Sequence, residues 1–353
     1  MKQADLQTYL LKNAAEKLIP LHCLFELTYR CNLNCLYCYI TKNKKKELEK
    51  EKVFGILRQL KEAGCFYLTF SGGEPLIRKD FFEIADYARK LKFALRIFTN
   101  ATLVNESIAD KLGNLKPISV EISLCGFKDM HEEMTRVKNS FDKTVKAIRL
   151  LRERNVEVLV KMTLTKQNVS QVWKLKRFVK KELGVKWRGI GGNFLVSPCD
   201  DGNKRPLQYR LTDEQLKKYI KEEKEEFRSV GKEYKPGKVK KNDILCGAGR
   251  SGCNITPSGE LNPCAQIRLK KNCLNGHNLS DVWQYHPELN YIRSLRVKDL
   301  SECRKCELLS YCFYCPGIAR LEQGSFLSKL PEACRLAKIR KEIYSEVNDG
   351  QKE

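Results

Sequence analysis

No run of about 18 apolar residues occurs anywhere in the 353-residue chain, so no membrane-spanning helix is expected. The first ten residues hold no uninterrupted apolar stretch, and no secretory signal is read there. No internal repeat is found. The basic segments at 42–46 and 235–241 contain no aromatic residue. Single-stranded nucleic acid is usually gripped by cations interleaved with aromatics, so nucleic acid is not an expected partner. What the chain has is cysteine, 16 in all, mostly in short clusters. Without an export signal, such clusters point to metal rather than to disulfides, and to a reducing, cytoplasmic location. The formal net charge of +23 would suit an anionic partner. A Lys/Glu-rich solvated surface explains it more simply. The hydrophobic fraction of 42% supports a packed core.

Residues 31–38 read Cys-Asn-Leu-Asn-Cys-Leu-Tyr-Cys, directly after an apolar run. Three thiolates this close suit one corner of an iron–sulfur cube and leave its fourth iron open, because a [4Fe–4S] cluster normally takes four cysteines. The competing reading is structural zinc, which needs four ligands. Cys23 is the near candidate, and strand alternation puts it on the face opposite Glu26 and Thr28. Residues 66–75 form a second signal, a short apolar run entering Ser71-Gly72-Gly73-Glu74-Pro75. The glycines permit positive φ and close backbone approach to a ligand. Glu74 and the exposed backbone could hold an ammonium group.

Apolar strand candidates fall at 21–27, 66–70, 95–99, 118–124, 157–163 and 188–195. Helical periodicity lies between them, as in Val53, Ile56, Leu57 and Leu60. Alternating units imply right-handed parallel crossovers, hence a partial (β/α)6 parallel barrel of the α/β class. Its ligands are expected at the C-terminal ends of the strands. The Cys triplet, Gly72 to Glu74, Asn100 and Ser123 each follow or end a strand candidate. They therefore converge on one mouth. A boundary is expected near residue 240. Residues 1–19 then form an extension, 20–239 the barrel with a bridging region, and 240–353 a cysteine-rich domain ending in a helix.

The triplet with Tyr37 before its last cysteine resembles the radical S-adenosylmethionine (SAM) superfamily signature, and Gly72-Gly73-Glu74-Pro75 resembles that superfamily's SAM amino-binding motif. The C-terminal cysteines resemble its SPASM extension. Twelve residues separate Cys246 from Gly259, and four more lead to Cys264. Cys303, Cys306, Cys312, Cys315 and Cys334 follow. The spacing departs from the common form at Cys312 and Cys315, which are two residues apart rather than three.

The resemblance implies a set of roles. Cys31, Cys35 and Cys38 would hold the SAM-binding cluster. Tyr37 would pack near the adenine. Gly72, Gly73 and Glu74 would hold the methionyl amine, Ser123 the ribose and Lys161 the carboxylate, with Asn100 contacting SAM or substrate. Cys246, Cys253, Cys264 and Cys315 would bind one auxiliary [4Fe–4S] cluster. Cys303, Cys306, Cys312 and Cys334 would bind another, giving three clusters in all. The implied chemistry is reductive SAM cleavage to a 5′-deoxyadenosyl radical that abstracts a substrate hydrogen. An electron donor such as flavodoxin or ferredoxin is implied as a partner.

The expected function is maturation of a ribosomally made peptide or a protein, with an acidic substrate suggested by the charge. About twenty residues precede the first strand, so leader recognition is expected from a separate protein. The alternative is modification of a tetrapyrrole or another small molecule. Sulfatase-type maturation ranks lower, because Ala265 stands after Cys264 where such relatives carry Asp. A non-catalytic zinc protein ranks last. Cys125 and Cys199, near strand tops, are candidate hydrogen donors. With Cys23, Cys65 and Cys273 they are otherwise read as inert.

Overall fold

The structure is a computed structural model. It describes residues 3–41, 45–190, 196–231, 236–270, 272–274 and 276–345. The elements run α1 (Gln3–Glu16), β1 (His22–Glu26), α2 (Lys50–Glu62), β2 (Tyr67–Ser71), α3 (Phe81–Lys90), β3 (Ala94–Thr99), α4 (Glu106–Leu115), β4 (Ser119–Ser123), α5 (Lys128–Thr135), α6 (Ser140–Glu153), β5 (Val158–Met162), α7 (Val172–Lys181) and β6 (Lys186–Ile190). Then follow α8 (Asp213–Ser229), β7 (Gly252–Ile255), β8 (Leu261–Asn262), α9 (Leu279–Tyr285), α10 (Pro287–Ser294), α11 (Pro316–Gln323) and α12 (Pro331–Ser345).

One sheet carries the eight strands of the described residues in the order β6-β5-β4-β3-β2-β1-β7-β8. Strands β1 to β6 pair in parallel in chain order, which is the expected partial (β/α)6 barrel. Each apolar strand is covered on its outer face by helices whose buried positions follow the 3.6-residue period. On α2 these are Val53, Ile56, Leu57 and Leu60, packed beside Phe25 and Phe70. The sixth strand candidate starts two residues earlier than expected, and its end at 191–195 lies outside the described residues.

The sheet does not stop at residue 240. Strand β7 pairs in parallel with β1, His22 with Gly252 and Cys23 with Cys253, and β8 pairs antiparallel with β7. The cysteine-rich region thus extends the barrel sheet. Four- and two-residue strands lack the length to show a periodic pattern, so neither is legible from sequence. No helix of the described residues is long and apolar enough to cross a membrane.

Candidate active site

At the C-terminal ends of β1 to β5 lies a cavity of about 680 Å³, whose wall includes Cys31, Cys35, Cys38, Gly72, Ser123 and Lys161. Tyr37, Gly73 and Asn100 line it as well. Apart from Glu74, the expected convergence on one mouth is therefore what the fold produces.

The cysteine loop leaves β1 and is pinned by main-chain bonds. Asn34 N donates to Thr135 O and Leu36 N to Met134 O, so the end of α5 sets the loop's shape. Burial pushes the Cys35 thiol up, and the neighbouring Cys125, Cys38 and Cys31 thiols add to this. Iron ligation there must displace that proton. Among the described residues, no three His, Cys, Asp or Glu side chains close up as they would around one bare ion. A four-iron cube spreads its thiolates over separate corners, so the two arrangements differ.

The glycines line the cavity and also approach a neighbour that was not expected. Gly72 has φ +126°, and a Cβ there would stand 2.5 Å from Thr28 O. A Cβ on Gly73 would stand 2.2 Å from Arg30 O. The close approach is to the chain leaving β1, with Gly73 N donating to Thr28 O and Glu74 N to Arg30 O. Glu74 also departs from expectation. Its carboxylate is fully buried and accepts from Thr99 Oγ1 at 2.8 Å, Asn100 N at 2.7 Å and Leu76 N at 3.1 Å. Burial raises its pKa to about 7 against these three bonds. It braces the β3 exit, rather than lining the cavity.

Asn100 ties that exit to the cysteine loop. Its amide nitrogen donates to Asn32 Oδ1 at 2.9 Å and lies 3.9 Å from Cys31 Sγ. Lys161 Nζ sits 3.2 Å from the centroid of the Phe98 ring and 3.8 Å from Glu121 Oε2. Burial lowers its pKa to about 8, with Glu121 opposing. Cys199 lines the cavity, its thiol donating to Cys38 O at 3.6 Å.

His131 on α5 was not singled out from sequence. It lies on the buried side of a short helix and carries no motif. Its Nδ1 accepts from Cys125 N at 3.1 Å, and burial lowers its pKa to about 4. The neutral ring then carries its proton on Nε2, which is buried and has no partner among the described residues, while His131 as a residue lines the cavity. Thr41 Oγ1 is likewise buried without a partner among the described residues. The three thiols and Lys161 in one wall are a donor set that fits a thiolate-held cluster with a carboxylate-bearing ligand beside it.

A second feature invisible in the sequence is a charged junction. Arg268 donates to Asn254 Oδ1 at 2.7 Å and to Asp200 Oδ2 at 3.0 Å, and lies 3.4 Å from Glu26 Oε2. Tyr39 donates to Glu26 Oε1, and Thr41 N to Asp200 Oδ1. The cysteine loop, β1, the bridging region and the C-terminal region thus meet on one guanidinium.

The C-terminal thiols form two groups. Cys303, Cys306 and Cys334 all act on the Cys312 thiol and raise it beyond the effect of burial. Cys246 and Cys315 do the same to Cys264. Cys312 and Cys315 thus act on different thiols despite their closeness. Cys253, expected with Cys246, is not among the neighbours that act on Cys264 or Cys315. It bonds to Cys23 and acts on Cys65.

Residues 25–179 match the family described as the Radical SAM superfamily. The chain carries a radical SAM domain, the catalytic domain of an enzyme. It is 29% identical over 313 residues to the mycofactocin maturase MftC of Mycolicibacterium smegmatis, covering 83% of this chain and 77% of that one. It is 24% identical over 335 residues to the AdoMet-dependent heme synthase of Methanosarcina barkeri, covering 87% and 94%. Among solved structures, Streptococcus suis SuiB bound to S-adenosylmethionine superposes with a TM-score of 0.71 at 21% identity, covering 90% of this chain and 78% of that one. SuiB has also been solved with its precursor peptide SuiA.

Proposed function

We propose that this protein is a radical SAM maturase that modifies a ribosomally made peptide, and that its C-terminal cysteines hold two auxiliary clusters in a SPASM-type domain. The observation that carries the reading is one cavity walled by the Cys31, Cys35 and Cys38 triplet, Gly72–Gly73, Ser123 and Lys161. When bound, the cluster and SAM supply one-electron reductive cleavage and hydrogen-atom abstraction. The chain's own residues bind and shield. Lys161 offers a positive charge for a carboxylate and Tyr37 an aromatic face. The charged junction at Arg268 holds the cysteine loop against the C-terminal region.

The peptide substrate is supported by the maturase relatives, MftC and SuiB. The acidic character of that substrate rests on net charge alone. Of the basic stretch at 42–46, Lys45 pairs with Glu260 and Lys46 with Glu49, while Lys42 and Lys44 lie outside the described residues. Flavodoxin or ferredoxin as reductant and a separate leader-binding protein remain part of the proposal. A tetrapyrrole substrate is the second reading, favoured by the near-complete coverage of the heme synthase.

The test is anaerobic reconstitution with SAM and dithionite, monitoring 5′-deoxyadenosine. About twelve irons per chain are expected, at about four per site. Replacing Cys31, Cys35 and Cys38 together with Ala should remove about four irons and abolish SAM cleavage. Cleavage surviving in that variant would overturn the assignment. A mass change in a peptide encoded beside the gene selects the peptide reading; turnover of an iron-porphyrin selects the other.

A further inference from the structure

Among the described residues, two cationic side chains stand in the cavity wall, Lys161 and Arg205. Lys161 belongs to β5, and Glu121 Oε2 lies 3.8 Å from its Nζ. Arg205 belongs to the bridging segment after β6, and no carboxylate among the described residues pairs with it. Asp201, a carboxylate in the same wall, is engaged elsewhere, its Oδ1 accepting from Asn203 N at 2.9 Å. The Arg205 guanidinium acts instead on Cys199, a buried thiol of that wall, and opposes the rise that burial imposes there. Its charge therefore reaches the cavity.

The backbone that carries Arg205 is pinned. Asp200 N donates to Tyr39 O at 2.8 Å and Thr41 N to Asp200 Oδ1 at 3.0 Å, which ties the segment to the cysteine loop. Cys199 N donates to Asn203 O at 2.8 Å and closes a turn. Asn203 Oδ1 then accepts from Arg205 N at 2.9 Å, and the next residue, Pro206, is buried. The Arg205 side chain, by contrast, is exposed. The chain thus fixes where the guanidinium starts and leaves most of its N–H donors open to a ligand.

A substrate that fills the cavity covers this charge. A covered guanidinium with no anion is costly. A carboxylate matches its planar fork with two parallel bonds. We propose that Arg205 is the residue by which the cavity selects its substrate, and that it binds a carboxylate there, an Asp or Glu side chain of a peptide or an acid arm of a porphyrin. This deepens the substrate reading above and rests on it. Net charge cannot locate an acidic feature of the substrate. Arg205 locates it at the bridging segment beside Cys199, leaving Lys161 for the SAM carboxylate.

The test uses full-length reconstituted protein loaded with SAM, as parent, R205Q and R205K. Two probes are titrated anaerobically by calorimetry. One is the peptide encoded beside the gene, with each Asp and Glu changed in turn to Asn or Gln. The other is an iron-porphyrin tetracarboxylate, compared with its tetramethyl ester. Neutralising the recognised carboxylate should weaken binding to the parent about tenfold and leave binding to R205Q unchanged. R205K, which keeps the charge without the fork, should fall between them. The probe that behaves so names the source of the carboxylate. An equal loss in parent and R205Q for every carboxylate would overturn the proposal. So would a weakened SAM dissociation constant in R205Q at full iron content, because Arg205 would then hold SAM itself.

If neither probe binds the parent, the substrate reading falls and Arg205 is judged separately. Glutarate, a plain dicarboxylate, should slow the modification of Arg205 by phenylglyoxal, read by peptide mass spectrometry, and its uncharged diamide should not. No protection by glutarate would overturn the carboxylate site. Protection without binding of either probe would uphold the site and overturn the two substrate classes alone.

Discussion

The Tyr37 hydroxyl lies 2.8 Å from the Cys125 sulfur, joining the cysteine loop to the strand end after β4. Burial pushes the Cys125 thiol up to about 11, and the Tyr37 bond opposes this. At neutral pH the pair is a thiol and a phenol, both protonated. C125S keeps a partner for the hydroxyl, and C125A leaves it buried and unpaired. An unsatisfied buried hydroxyl costs about 1–3 kcal/mol. C125A should therefore unfold in less denaturant than C125S, measured on the apo-protein. Equal stability would show that this contact carries nothing.

Lys161 leads to a pH prediction for SAM binding. Its pKa is lowered to about 8 by burial. Below that value it is cationic and can hold a carboxylate; above it the charge is lost. SAM affinity of the reconstituted enzyme should fall between pH 7 and 9. K161M should weaken binding about tenfold at pH 7, a difference of about 1.4 kcal/mol, and show a flatter profile. An unchanged dissociation constant in K161M would remove Lys161 from the SAM site.

Much of this was legible in the sequence because it depends on local pattern. Five of the six barrel-strand candidates coincide with β1 to β5 to within a few residues, since apolar runs bounded by turn residues are strong signals. Cys31, Cys35, Cys38, Gly72, Gly73, Asn100, Ser123 and Lys161 all reach one cavity, because barrel topology gathers strand ends. Side-chain direction was not legible. Glu74 turns inward to Thr99 and Asn100, and Cys253 follows the register of a four-residue strand, which spacing does not encode. His131, Arg268 and Asp200 matter through contacts between distant segments, and no local motif marks them.

Glu74 gives a stability prediction with a definite sign. Its folded pKa of about 7 lies above the ordinary glutamate value of 4.5. Between these values the folded state holds a proton that the unfolded state has lost. Stability is therefore full below about pH 4.5 and falls as pH rises through 7. The contribution is of order 3 kcal/mol, at 1.36 kcal/mol per unit. E74Q should remove this slope between pH 5 and 7.5 in apo-protein denaturation. A parallel slope in the variant would assign the pH dependence to other groups.

Arg268 carries the last prediction. It faces two carboxylates, Glu26 at 3.4 Å and Asp200 at 3.0 Å, with Glu26 nearly inaccessible to solvent. Burial raises the Glu26 pKa, and Arg268 is the largest opposing influence. R268M removes the cation and strands both acids. Breaking a buried pair in this way costs about 3–5 kcal/mol, and the partial exposure of Arg268 points to the lower end. Because Tyr39 and Thr41 hang from the same acids, the cysteine loop should loosen too. R268M should lose iron from the triplet site faster on exposure to a chelator. The variant R268M/E26Q/D200N has no charge left to strand, so it should recover most of the stability. Recovery of stability without recovery of iron retention would separate the two effects and show that the guanidinium itself positions the loop. If R268M matched the parent in both measurements, the junction would not couple the loop to the C-terminal region.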